Sequence, residues 1–237
     1  MVHARAEAIL ERLRAAGNPA DLAGMERYGI DVSNSFAVRA PVVWAIAREI
    51  GRDRALAAEL WVTGNREARL IAAAIDDPAQ VTDAQLEAWV ADFRSWDICD
   101  GVCGHLFDRT PFAWEKAVEW AGRDEEFVKR AGFVLMAQRA VHDRRAEDAR
   151  FEAFLPIIAR EAGDNRTYVK KAVNWALRQI GKRNAPLNKS AIETALAIQA
   201  TDTPSGRWIA ADALRELRSA PVQRRVDAGR SAGAQQG

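Results

Sequence analysis

Trp175 lies in the segment Thr167-Tyr-Val-Lys-Lys-Ala-Val-Asn-Trp-Ala-Leu-Arg-Gln-Ile-Gly-Lys182, where its neighbours at helical spacing are cations. At about 100° per residue, Val169, Val173, Ala176 and Ile180 form an apolar stripe, and Lys171, Trp175, Arg178 and Lys182 gather on the opposite side. A tryptophan on a polar face can pack against a sugar or base while Lys and Arg hold phosphates. The structural alternative is that Trp175 packs on a neighbouring helix and the cations extend along the surface. The charge around it is concentrated. Arg166, Lys170, Lys171, Arg178, Lys182, Arg183 and Lys189 occur with no acid between Arg166 and Glu193. On a chain of net charge +1, that field points to a polyanionic partner or, more plainly, to a solvated helix face.

A second segment, Phe93-Arg-Ser-Trp-Asp-Ile-Cys-Asp-Gly-Val-Cys-Gly-His-Leu-Phe107, offers different chemistry. Ile98, Val102 and Leu106 make its apolar side, and Trp96 and Asp100 lie one turn apart on the other. That pair is an aromatic wall with an acceptor beside it. Gly101 and Gly104 weaken a helix, which makes sense if something approaches the backbone closely. The alternative is an amphipathic helix in which Asp97 or Asp100 only complements the helix dipole.

Other groups carry less. His3, His105 and His142 are scattered, and His105 falls on an apolar side, as a core histidine does. Cys99 and Cys103 have no His or Cys partner at zinc spacing and read as small buried hydrophobes, so no metal site is expected. GxGxxG, P-loop, GxSxG and HExxH patterns are absent, which removes the usual support for nucleotide cofactors, serine hydrolysis and zincin chemistry. No cofactor is expected. Trp44, Trp61, Trp89, Trp114, Trp120 and Trp208 sit at helical periodicities and read as packing residues.

The elements that must position these residues are helices throughout. The 3.6-residue period predicts them over 4–15, 20–28, 39–50, 53–62, 65–75, 83–94, 97–107, 112–121, 124–141, 149–162, 166–181, 188–200 and 205–218. Thr82 and Asp164 stand where capping side chains belong. Helices of this length with short links pair, and pairs repeating every roughly 30–40 residues stack into an α-solenoid. The expectation is therefore an all-α solenoid of divergent HEAT-like repeats, one domain over residues 1–219 with a concave basic face. A compact bundle is the competing architecture. The tail over 220–237 lacks an apolar face and reads as disordered.

Three blocks in order carry a resemblance: Ser95-Trp-Asp-Ile-Cys-Asp100, Glu126-Phe-Val-Lys-Arg-Ala131, and Tyr168 through Lys182. Over about residues 20–220 the chain resembles the bacterial DNA alkylation repair family, the AlkD-like DNA glycosylases. The resemblance implies a HEAT-like solenoid that holds duplex DNA and cleaves the N-glycosidic bond of cationic alkylated purines such as 3-methyladenine and 7-methylguanine. By the same resemblance, Asp100 matches the catalytic carboxylate, and Trp96 and Trp175 match the aromatics that contact the damaged nucleotide's backbone. Arg130 matches the basic residue near the site, and Arg178 a phosphate-binding residue. Lys129, Lys170, Lys171, Lys182 and Arg183 join Arg178 as expected DNA contacts. On the helical wheel, Arg130 falls nearer the buried side than Lys129.

Composition bounds the remaining choices. The chain has 237 residues, 49% hydrophobic and 28% charged, enough to bury a core without disulfides. No apolar run approaches the ~18 residues of a membrane span, and a cytoplasmic location is the expectation from cysteine usage. Charge is uneven along the chain. Residues 1–100 carry 11 Lys/Arg against 16 Asp/Glu, and residues 151–237 carry 14 against 8. Besides the glycosylase, two classes remain: a non-catalytic nucleic-acid-binding module, and a protein-interaction scaffold whose basic face meets an acidic partner.

Overall fold

The computed structural model describes residues 4–233, with side chains up to residue 227. Helices take up 74% of the described residues, which contain no strand. Among the described residues, fifteen α-helices follow in order. These are α1 (Ala4–Ala16), α2 (Leu22–Arg27), α3 (Ala40–Ile50), α4 (Arg54–Val62), α5 (Arg66–Ile75), α6 (Asp83–Ala91), α7 (Trp96–His105) and α8 (Ala113–Ala121). Then come α9 (Glu126–His142), α10 (Asp148–Glu152), α11 (Leu155–Glu161), α12 (Thr167–Gly181), α13 (Ala185–Ala200), α14 (Pro204–Leu217) and α15 (Ala220–Gly233). Within the stretch expected as one domain over 1–219, the chain forms two compact units, one ending at Phe112 and the other starting at Ala113.

Local chemistry sets the helix starts. Side chains of Asp53, Asn65, Thr82, Asn184 and Thr203 accept the backbone N–H three residues on, satisfying a donor that the helix leaves open. Asp164 caps differently from the expectation: its Oδ1 accepts the N–H of Arg166, the residue before the helix, at 2.9 Å, in a turn that leads the chain into α12. The helix expected over 149–162 is two helices. Pro156, in the first turn of α11, has no N–H to continue the ladder from Glu152.

The tail is corrected as well. Residues 220–233 are helical, and Val222 and Val226 are 7% and 2% exposed. Two valines four residues apart make a narrow apolar stripe that α13 and α14 cover, enough to order a helix of otherwise polar sequence. The expectation for residues 234–237 lies outside the described residues.

In the second unit the helices stack in two layers. α9, α12 and α14 form one row and α8, α11 and α13 the other, with the cross-pairs α8/α9, α11/α12 and α13/α14. In the first unit α5 is central, packed by α3, α4 and α7. Side-chain hydrogen bonds repeat at the stacking period. In the first unit Asn65–Asn34, Trp61–Asp92 and Arg66–Asp97 each span 31 residues. In the second, Arg130–Tyr168, Asn174–Asp212 and Arg178–Glu216 each span 38. That offset is the repeat, written in polar contacts and not in a sequence consensus.

Candidate nucleic-acid interface

In the first unit, α7 buries the side that the periodicity marks. Ile98 is 6% exposed, and Val102, Leu106, Cys99 and Cys103 are fully covered. Burial pushes the Cys103 thiol well above its ordinary pKa, so it stays protonated and serves as packing. Among the described residues no group of three His, Cys, Asp or Glu could hold a metal ion. Gly101 explains itself internally: a Cβ there would come within 2.5 Å of Leu70 Cδ2 on α5. The close approach read from that glycine is helix on helix.

Trp96 and Asp100 are half-buried, one turn apart, on the side away from Ile98 and Val102. The Trp96 indole N–H donates to the Tyr28 carbonyl at 2.9 Å, which fixes the ring. Tyr28 itself is 75% exposed. Nothing in the sequence marks Tyr28 as part of the site, because a bond across 68 residues leaves no local signal. Asp97 has a separate task. It accepts from Arg66 Nε and Ser95 Oγ, both at 2.6 Å, and so anchors the start of α7 to α5.

In the second unit, α12 presents its apolar stripe inward, with Val169, Val173, Ala176 and Ile180 fully covered. Trp175 is half-buried, and Lys171 is exposed. The other cations have found partners. Arg178 bonds Glu216 and lies 3.5 Å from Asp212, and Lys182 Nζ reaches Glu216 at 2.7 Å. Burial alone would raise the pKa of Asp212 and Glu216. Hydrogen bonds from Asn174 and Lys182, with the nearby Arg charges, bring both below their ordinary values, so the two carboxylates stay ionised. Lys170 places its ammonium 5.5 Å from the Trp208 ring, and Trp208 is 40% exposed instead of packed. Arg183 donates to the Ala140 carbonyl at 2.7 Å and lies over the Phe151 ring.

Lys129 and Arg130 on α9 are both buried, at 8% and 5% exposure. Lys129 pairs with Glu161 at 2.8 Å and with Asp164 at 3.8 Å. Arg130 Nη1 donates to the Tyr168 carbonyl at 2.6 Å, tying α9 to the first turn of α12. The structure therefore gathers Trp175, Lys171, Arg178 and Lys182 on one side of α12, and sets Lys129 and Arg130 beneath the beginning of that helix.

Stacked helix pairs with polar contacts at the repeat offset define a HEAT-like helical-repeat protein. Residues 9–217 match the family described as DNA alkylation repair enzyme, and the chain belongs to that family. Its fold is similar to a solved structure described as "a new family of proteins related to the HEAT-like repeat DNA glycosylases with affinity for branched DNA structures". The TM-score is 0.72 at 21% identity, over 81% of this chain and 82% of that one. No curated protein sequence matches the chain.

Proposed function

We propose that the protein is a DNA glycosylase that hydrolyses the N-glycosidic bond of cationic alkylated purines, with Asp100 as the catalytic carboxylate. The observation that carries this reading is the α7 pair: an indole held in place by the Tyr28 carbonyl, with a carboxylate one turn along, on a side that is not packed into the core. Family membership supports the same chemistry.

An alkylated purine already carries a positive charge, so its departure needs no general acid. As the C1′–N bond breaks, its electron pair returns to the purine, which leaves neutral, and positive charge builds on the sugar. A fixed carboxylate stabilises that charge, and a polarisable indole face favours it. Water then bonds to C1′ and releases a proton, with Asp100 orienting its attack. On α12, Trp175 and Lys171 contact the DNA backbone, and Arg178 and Lys182 exchange part of their pairing with Glu216 for phosphate.

The test is single-turnover release of 7-methylguanine or 3-methyladenine from duplex DNA, with binding measured in parallel. Excision by wild type that falls by about 10²–10³ in Asp100→Asn is the expected result. A second reading, a non-catalytic module for branched DNA, draws on the description of the structurally similar protein. Tight junction binding by wild type with no base release would establish that reading instead. DNA affinity insensitive to salt would favour a protein-interaction scaffold.

A further inference from the structure

We propose that the cavity bounded by the end of α9, the end of α12 and α15 binds one phosphodiester of a DNA backbone. The proposal rests on the DNA reading of α12 and adds a phosphate site beyond it. The cavity has a volume of about 330 Å³ and is lined by Ala140, Val141, Arg144, Gln179, Arg183 and Arg225. Three guanidinium groups and one amide face it and, among the described residues, no carboxylate does. Arginine suits this task, since its planar fork matches two phosphate oxygens at once.

Arg183 is the fixed member. Nη1 donates to the Ala140 carbonyl at 2.7 Å and Nη2 to the Ala146 carbonyl at 3.4 Å, while the guanidinium carbon lies 3.9 Å from the Phe151 ring centre. Its Nε is buried with no hydrogen-bond partner. Carbonyls orient a guanidinium without cancelling its charge. Asp143 and Asp148 act on Arg183 electrostatically, but Asp143 is bonded to Arg139 and Asp148 to Asn184. Burial is the dominant influence and lowers the Arg183 pKa, the condition in which an added anion is most favourable. Arg144 and Arg225 are exposed and converge from two other elements.

The occupant is read from continuity. Gln179 follows Trp175 by four residues, about 40° round α12, and Arg183 stands in the turn just past the end of that helix, so the cavity lies at the C-terminal end of the helix that carries Lys171 and Trp175. A polyanion lying across Lys171 and Trp175 continues over this cavity, whereas a free small anion would have no use for that alignment. In the sequence Arg183 closely follows the cations of α12, whereas Arg144 and Arg225 join it only in the fold.

The experiment measures duplex DNA affinity against salt for wild type, Lys171→Ala and the double variant Arg144→Gln/Arg225→Gln. Both arginines are exposed, so their removal leaves the packing intact, and circular dichroism and the urea midpoint confirm it. Removing one phosphate neutralisation lowers the slope of log K against log salt by about 0.9. The expected result is that decrease in the double variant, uniform across sequences, with a separate decrease in Lys171→Ala. A lower slope in Lys171→Ala beside an unchanged double variant would overturn the cavity and leave the α12 reading standing. No salt-dependent DNA binding by wild type would overturn both.

Discussion

At the residue scale, the two acids of α7 have different tasks although three positions separate them. Asp97 binds Arg66 and Ser95, and Asp100, one turn from Trp96, is the carboxylate of the proposed reaction. Asp100→Asn keeps volume and removes charge. Removing one such preorganised electrostatic interaction costs roughly 3–4 kcal/mol, so excision should fall by about 10²–10³ while DNA affinity holds or rises. Lys129 makes the opposite case, a cation with a structural partner. Lys129→Met removes the buried one of two cations from Glu161 and from Asp164, which keep Arg160 and Arg166 respectively, and should cost about 1–2 kcal/mol in urea unfolding. Lys171→Ala, at an exposed position, should leave stability within about 0.5 kcal/mol.

At the element scale, glycines report how closely helices approach. A Cβ at Gly132 on α9 would meet Ala121 N at 2.4 Å and the Trp120 carbonyl carbon at 2.9 Å, both backbone atoms of α8. The helices must part to admit it, so Gly132→Ala should destabilise by about 1–3 kcal/mol. Gly24 in α2 has nothing within 4 Å of its Cβ direction. There alanine only removes freedom from the unfolded chain, and Gly24→Ala should stabilise by about 0.5–1 kcal/mol. Differential scanning calorimetry of both variants checks the two signs. The pairing of α12 with α14 makes a further prediction. Glu216 holds both Arg178 and Lys182, so Glu216→Gln frees Lys182 and loosens Arg178, which keeps Asp212, and should tighten DNA binding several-fold, with a steeper salt slope.

At the scale of the whole molecule, the folded state holds carboxylates in their charged form. Asp164 and Asp212 lie below the ordinary 3.8, and Glu161 and Glu216 below the ordinary 4.5. For all four, burial pushes upward, and hydrogen bonds and neighbouring cations outweigh it. Each therefore binds its proton more weakly folded than unfolded, so its stabilisation is complete above about pH 5 and is lost as pH falls through the folded pKa values. Urea midpoints should be level from pH 7 to about pH 5 and drop steeply below about pH 4. A midpoint that rises on acidification would contradict the direction of these shifts.

The sequence by itself determined most of the secondary structure and much of the facing. Apolar residues at 3.6-residue spacing can satisfy themselves only by turning one side of a helix inward, so the stripes of α7 and α12 were legible, as was the isolation of Trp96 and Trp175 from them. The helix of 220–233 was not, because two valines form a stripe only when α13 and α14 stand ready to cover them. The tertiary structure alone decided the charge. From Arg166 to Lys189 the chain reads as uncompensated cation, yet Glu216 and Asp212 arrive from beyond the next helix to meet Arg178, and Glu161 and Asp164 turn Lys129 inward. Coulomb interactions depend on distance in space, which one sequence does not contain. Stacked repeats place residue i beside residues a full repeat away, and that register settles which cations stay open to a ligand.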